Sequence, residues 1–156
     1  MSNVLVVGGA GYIGSHACLA LREAGHEVVV YDNLSTGHRE AVLGGVLVDG
    51  DVRDVEKLKE ALRNYRVAVV MHFAALISVA DSVSNPIAYY EANVEGTLSL
   101  LSAMVDVGVE VMVFSSTAAV YGKPDYSPMC EDHPTRPLNA YGESKLAIER
   151  AFPHYE

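Results

Sequence analysis

The chain has 156 residues, half of them hydrophobic, enough for the layered core of one domain spanning residues 1–156. Its net charge of −9 excludes nucleic acid and anionic membrane surfaces as partners, because phosphate backbones are bound by basic faces. Two cysteines, Cys18 and Cys130, are too few for a disulfide framework, and six histidines show no ligand spacing, so a metal-free protein of the reducing cytoplasm is expected. The N-terminus has no basic region ahead of an apolar core and its apolar run is broken by glycines, so neither a signal peptide nor a membrane span is expected there.

Val4 to Val7 form an apolar strand that runs into Gly8, Gly11 and Gly14, after which helical periodicity begins. Strand, glycine turn and helix make the geometry of a dinucleotide site: bare backbone N–H groups and a helix N-terminus face the pyrophosphate. A glycine-bearing turn without a ligand is the plain alternative. Ile13, Ala17, Ala20, Leu21 and Ala24 mark the first helix, which Gly25 ends. A second strand, Val28 to Tyr31, delivers Asp32 near the offset where an acid takes ribose hydroxyls and repels a 2′-phosphate, favouring NAD. A polar loop, LSTGHRE, follows.

A third strand, Val46 to Val48, leads through Asp49 to Val52 into a helix capped by Asp54, with Val55, Leu58, Leu62 and Tyr65 inward. Val67 to Met71 is continuously apolar, as a strand covered on both faces should be. It ends in HFAAL, residues 72–76, where small side chains let a ring or phosphate pass or simply pack a helix. Asn85 and Pro86 start a long helix whose apolar positions are Ile87, Tyr90, Val94, Leu98, Leu101 and Val105. Val111 to Phe114 is a fifth strand with Ser115, Ser116 and Thr117 at its carboxyl end, the edge where ligands gather in parallel sheets. Strands alternating with helices predict an α/β doubly wound parallel sheet in the order 3-2-1-4-5.

Beyond a loop over residues 123–139, Tyr141 and Lys145 stand four apart on a final helix and share a face. A tyrosine is a poor base at neutral pH, but a neighbouring ammonium and a nicotinamide cation both favour its phenolate, which can take a hydroxyl proton as hydride leaves the same carbon. Thr117 is placed to bond or relay that hydroxyl. Spacing alone equally describes a solvated tyrosine beside a snorkelling lysine; the signal lies in the combination of glycine turn, acid, Ser-Ser-Thr and Tyr-x-x-x-Lys in this order.

Those residues, with GGAGYIGSH at 8–16, YDNLSTG at 31–37, GDVRD at 50–54, YYEANVEGT at 89–97, FSSTAAVYG at 114–122 and YGESK at 141–145, resemble the N-terminal half of an extended short-chain dehydrogenase/reductase. Within that superfamily the chain is most similar to the UDP-glucose 4-epimerase family. The resemblance implies a NAD-binding Rossmann fold and epimerisation of a UDP-sugar at C4 by transient oxidation to a 4-keto intermediate. It also implies roles. Gly8, Gly11, Tyr12, Ile13 and Gly14 would hold the pyrophosphate, Asp32 and Asn33 the adenosine ribose, and Asp51 and Val52 the adenine. Phe73, Ala74 and Ala75 would line the cofactor channel, with Asn93 and Ser115 beside the nicotinamide half. Tyr141 is the implied base, assisted by Thr117, and Lys145 would bond the nicotinamide ribose.

Two departures bear on function. Ile77 stands where many epimerases carry a lysine, which implies weaker retention of NAD. Ala118 and Ala119 stand where sugar-nucleotide dehydratases carry Asp-Glu, which removes the base for eliminating water. Family members run to about twice this length, so the Rossmann domain is expected to be truncated, lacking the C-terminal substrate domain and leaving the UDP-sugar pocket incomplete. Val111 to Phe114 would then be an apolar edge, and homo-oligomerisation is expected through it or through helices 86–107 and 141–152. A related oxidoreductase and a NAD-binding module without turnover stand as alternative functions.

Overall fold

The computed structural model describes residues 2–155, which divide into two compact units, residues 2–74 with 97–115 and residues 75–96 with 116–155. The first holds a five-stranded parallel sheet in the order β3-β2-β1-β4-β5: β1 is Asn3–Val7, β2 Glu27–Asp32, β3 Val46–Asp49, β4 Val69–His72 and β5 Val111–Phe114. That is the order expected from the alternation of strands and helices. The strand expected over 67–71 begins two residues later. The Val67 amide turns instead to the Leu62 carbonyl of the preceding helix, and the Ala68 amide to the Asn3 carbonyl at the start of β1.

Period-two alternation along β1 and β2 splits the sheet's side chains between two cores. Leu5, Val7, Val29 and Tyr31 pack with Leu58 and Leu62 of helix α2, Val55–Asn64, and with Leu100 and Met104 of helix α5, Gly96–Val107. Val4, Val6, Val28 and Val30 pack on the opposite face with Cys18 of helix α1, Tyr12–Glu23. Each fully buried aliphatic side chain contributes about 1.5–3 kcal/mol, so these layers fix the strand ends from which the loops project. Asp54 caps α2 by accepting the Lys57 amide, as expected. Lys59 of that helix bridges to Asp106 at 2.6 Å.

In α1 the inward residues are Gly14 and Cys18, with Leu21 packed beside them, whereas Ile13 lies in solvent. The second unit contains two short helices, α3 at Val79–Ser84 and α4 at Pro86–Tyr89, and a longer one, α6 at Ala140–Ala151. Between α4 and α5 the helix that reads as continuous in the sequence passes through a π-helical stretch, Tyr90–Glu95. Tyr89, Asn93, Thr97, Leu100, Leu101, Ala103 and Met104 are buried along it, while Ile87, Tyr90 and Val105 are exposed. Among the described residues no helix is long and apolar enough to cross a membrane, and no cluster of His, Cys, Asp and Glu could hold a metal.

Candidate functional site

The glycine turn of the first unit is held from both sides. Asp32, at the end of β2, accepts the Ala10 amide on Oδ2 at 2.9 Å and the Leu34 amide on Oδ1 at 2.8 Å. The His38 amide in turn reaches the Ala10 carbonyl at 3.0 Å. One acidic side chain thus links the turn after β1 to the loop after β2 and sets the shape of both. Each of its oxygens keeps a second lone pair for another donor. Gly8 has φ +81°, and a side chain there would place its Cβ 2.4 Å from the Ala74 amide nitrogen, so Phe73 and Ala74 lie against the turn, backbone to backbone.

Gly14 and Gly11 lack side chains for different reasons. A Cβ on Gly14 would stand 2.1 Å from the Gly8 carbonyl oxygen, which means that α1 can sit this close to the turn only with glycine at that position. A Cβ on Gly11 would meet nothing nearer than the same oxygen at 3.4 Å, and Gly11 has ordinary extended backbone, φ −81° and ψ 176°. No contact among the described residues requires glycine there. The first turn of α1 has no side-chain cap, so its N–H donors and positive dipole end face outward over this open space. Such donors are of the kind that bind an anion, and the exposed Tyr12 and Ile13 flank them.

Asn33, Asp51 and Arg53 form a small polar network in the first unit. Asn33 donates to the Asp51 carboxylate at 3.2 Å, and the Arg53 guanidinium grips the same carboxylate with two bonds of 2.8 Å. Those bonds hold the Asp51 carboxyl well below the usual range. The Tyr31 hydroxyl donates to the Asp51 carbonyl at 3.0 Å, which fixes the backbone leading to Val52. Phe73 follows β4 with its amide on the Val7 carbonyl, and Ser115 follows β5 with its amide on the His72 carbonyl. Of the site residues expected from sequence, those from Gly8 to Ala74 and Ser115 therefore belong to the first unit, at the carboxyl ends of its strands.

Ala75, Asn93, Thr117, Tyr141 and Lys145 belong to the second unit. Asn93, on the π-helical stretch, is fully buried: its Oδ1 accepts the Leu76 amide at 2.8 Å and its Nδ2 donates to the Leu76 carbonyl and to Ser144 Oγ, both at 3.0 Å. Ser144 in turn donates to the Tyr141 carbonyl at 2.8 Å. Both amide hydrogens are thereby committed to holding the chain after HFAAL and the start of α6. Thr117 Oγ1 accepts the Ala119 amide at 3.2 Å, which leaves the hydroxyl hydrogen to donate elsewhere. The Tyr141 ring meets Tyr89 edge to face at 6.4 Å between centroids.

Lys145 is 3% exposed, and burial pulls its ammonium down to about 8. The sign of the effect on stability follows. Below about pH 8 the lysine is charged in both folded and unfolded chains, and its desolvation burdens the fold; from there to about pH 10.4 only the unfolded chain holds the proton. Stability contributed by this residue therefore rises with pH across that window. Between about pH 7.5 and about pH 9.5 the unfolding free energy is expected to rise by ~2 kcal/mol relative to a Lys145→Met variant. Parallel urea titrations of the two proteins check this; identical pH profiles would contradict it.

The sequence places Ser116 in the Ser-Ser-Thr run after β5 but gives no role to it, nor to Ser144, Glu149 or Arg53. A serine or glutamate on a helix gives no periodic signal of its own.

The sequence model of the NAD dependent epimerase/dehydratase family matches residues 4–156. A UDP-glucose 4-epimerase of Rhizobium meliloti (strain 1021) is 53% identical over 154 residues, covering 99% of this chain and 47% of that protein. Among solved structures, UDP-glucose 4-epimerase from Brucella ovis in complex with NAD superposes with a TM-score of 0.98 at 46% identity, over 99% of this chain and 48% of that one. The enzyme from Bifidobacterium longum in complex with NAD+ and UDP gives a TM-score of 0.93 at 36% identity, over 98% and 48%. The chain spans about half the length of the relatives it matches. A glycine turn after β1, an acid after β2, and a buried lysine one helical turn from a tyrosine accord with that match: the chain belongs to the NAD dependent epimerase/dehydratase family.

Proposed function

We propose that residues 1–156 are the NAD-binding Rossmann domain of a cytoplasmic enzyme that interconverts UDP-glucose and UDP-galactose at C4. The observation that carries the reading is Lys145, buried on α6 one turn from Tyr141 in a chain whose relatives are UDP-glucose 4-epimerases. Bound NAD would supply a hydride acceptor that oxidises C4 and then a donor that reduces it from the other side. The chain's own part is binding and proton traffic. Gly8, Gly11, Tyr12, Ile13 and Gly14 would hold the pyrophosphate, Asp32 and Asn33 the adenosine ribose, Asp51 and Val52 the adenine, and Phe73, Ala74 and Ala75 the channel. Asn93 and Ser115 would serve the nicotinamide half.

At the sugar, Tyr141 would take the C4 hydroxyl proton and later give it back. The Lys145 ammonium favours the phenolate and would bond the nicotinamide ribose. Thr117 has its hydroxyl hydrogen available to donate to the substrate oxygen. Ala118 and Ala119 put no carboxylate next to Thr117, which favours epimerisation over loss of water. Exposed Ile87, Tyr90 and Val105 support homo-oligomerisation through helices 86–107 and 141–152. A monodisperse monomer in light scattering at tens of micromolar would contradict that association.

A NAD-binding module without turnover is the second reading, favoured by a chain that spans half the length of its relatives. Calorimetric titration with NAD and then UDP-glucose, followed by a coupled UDP-galactose assay, separates the two. Epimerisation without added reductant is expected. Net NADH production would point to another short-chain oxidoreductase, and NAD binding with UDP-galactose unchanged would leave the module.

A further inference from the structure

Glu149 stands one helical turn after Lys145 and two after Tyr141, so the three side chains share one side of α6. The first two have proposed chemical tasks; the third has none so far. Its carboxylate accepts the hydroxyl hydrogen of Ser116. Ser116 immediately precedes Thr117, whose Oγ1 in turn caps the 3-10 turn Ala118–Tyr121 through the Ala119 amide. A hydroxyl bonded to a carboxylate is charge-assisted, and partial burial strengthens it against competition from water.

The same segment meets α6 a second time. Asn139 caps the helix by accepting the Gly142 amide at 2.9 Å, and Gly142 lies so close to the 3-10 turn that a Cβ there would fall 2.8 Å from the Ala119 carbonyl oxygen. Residues 116–121 are thus seated on α6 at two points, Ser116 on Glu149 near one end of the helix and Ala119 on Gly142 near the other. Thr117 lies between the two points. Close packing alone fixes the separation of the helix and the segment; a directional bond is needed to fix their register.

We propose that Glu149 is a positioning residue: through Ser116 it locks the register between α6 and the 116–121 segment, so that the Thr117 hydroxyl and the Tyr141 phenol are presented together. The role rests on the function proposed above; the bond itself does not. Glutamine at 149 keeps an oxygen that can accept the Ser116 hydroxyl, whereas alanine does not.

The test compares the wild-type chain with Ser116→Ala, Glu149→Ala, Glu149→Gln and the double alanine variant. Amide hydrogen exchange at residues 116–121 is expected to speed by at least ~10-fold in both alanine variants, with the Val6 and Val30 amides unchanged. In the epimerisation assay kcat should fall by ~10-fold with KM and the NAD dissociation constant held within about twofold. Glu149→Gln should recover most of both losses, and the double variant should be no worse than either single one, because one bond is being removed. Wild-type exchange rates in Glu149→Ala, strictly additive losses, or a change confined to KM would overturn the proposal. Failure of the wild-type chain to bind NAD would sink the functional reading by itself, while the exchange measurement still decides whether the tie exists.

Discussion

Replacing Tyr141 by phenylalanine is expected to lower turnover by about a thousandfold while leaving NAD affinity within about twofold of wild type. The substitution deletes one oxygen. The Tyr141–Tyr89 ring contact, the Ser144 bond to the Tyr141 carbonyl and the Asn139 cap all survive it, so α6 keeps its place. What disappears is the only group proposed to exchange a proton with the sugar hydroxyl. Thr117 cannot substitute for it, since a neutral hydroxyl is a far weaker base than a phenolate. Steady-state kinetics beside a calorimetric NAD titration check the result. A variant with turnover near that of wild type would show that the proton leaves by another route.

The second large effect separates folding from binding within one turn. Gly14→Ala would force a methyl group to 2.1 Å from the Gly8 carbonyl oxygen and 2.8 Å from the Gly9 Cα, both backbone atoms that cannot swing aside. Loss of about 3–5 kcal/mol is expected, enough to unfold much of the population. Gly11→Ala sits three residues away and should behave in the opposite manner. Its methyl meets only the Gly8 oxygen at 3.4 Å, and the backbone there suits any residue, so stability should stay within about 1 kcal/mol of wild type. The same methyl occupies the space proposed for the pyrophosphate, and NAD affinity should fall by at least ~10-fold. Thermal melts and calorimetry on the two variants read both quantities. If Gly11→Ala binds NAD as well as wild type does, the pyrophosphate is not held where the turn suggests.

Much of this architecture is legible in the residue order because buried parallel strands and their caps write strong local signals. Val4 to Val7 followed by glycines, Asp54 before the periodic α2, and apolar runs ending at Asp32, His72 and Phe114 locate the sheet and its strand order. The helix after Pro86 is where the local signal misleads. Its hydropathy points to Ile87, Tyr90, Val94, Leu98, Leu101 and Val105 as one apolar side; Leu101 is buried as that reading expects, but Ile87, Tyr90 and Val105 are exposed while Tyr89, Asn93, Thr97 and Leu100 are buried.

Two physical causes combine there. Asn93 and Thr97 are polar, and they go inside because partners wait for them: the Leu76 backbone and Ser144 for the first, His72 Nε2 at 2.9 Å for the second. The π-helical stretch also breaks the single period on which such a reading depends. At the candidate site, motif residues stand out, Ser116 among them by its place in Ser-Ser-Thr, but nothing in the sequence links Ser116 to Glu149. Their relation is across 33 positions of sequence and exists only once the chain is folded.

The stretch Tyr90–Glu95 works as a phase shifter in the backbone. An i→i+5 bond encloses one more residue than an α-helical one, so the residues before the stretch are rotated out of the single α-helical phase of those after it. Deleting a single residue between Tyr89 and Asn93 would let an uninterrupted α-helix form, with better hydrogen bonds than before. It would also swing Tyr89 by about 100° relative to Asn93, pulling its hydroxyl from the Ser78 carbonyl that it now reaches at 2.6 Å. A locally improved helix would then be a poorer part of this molecule.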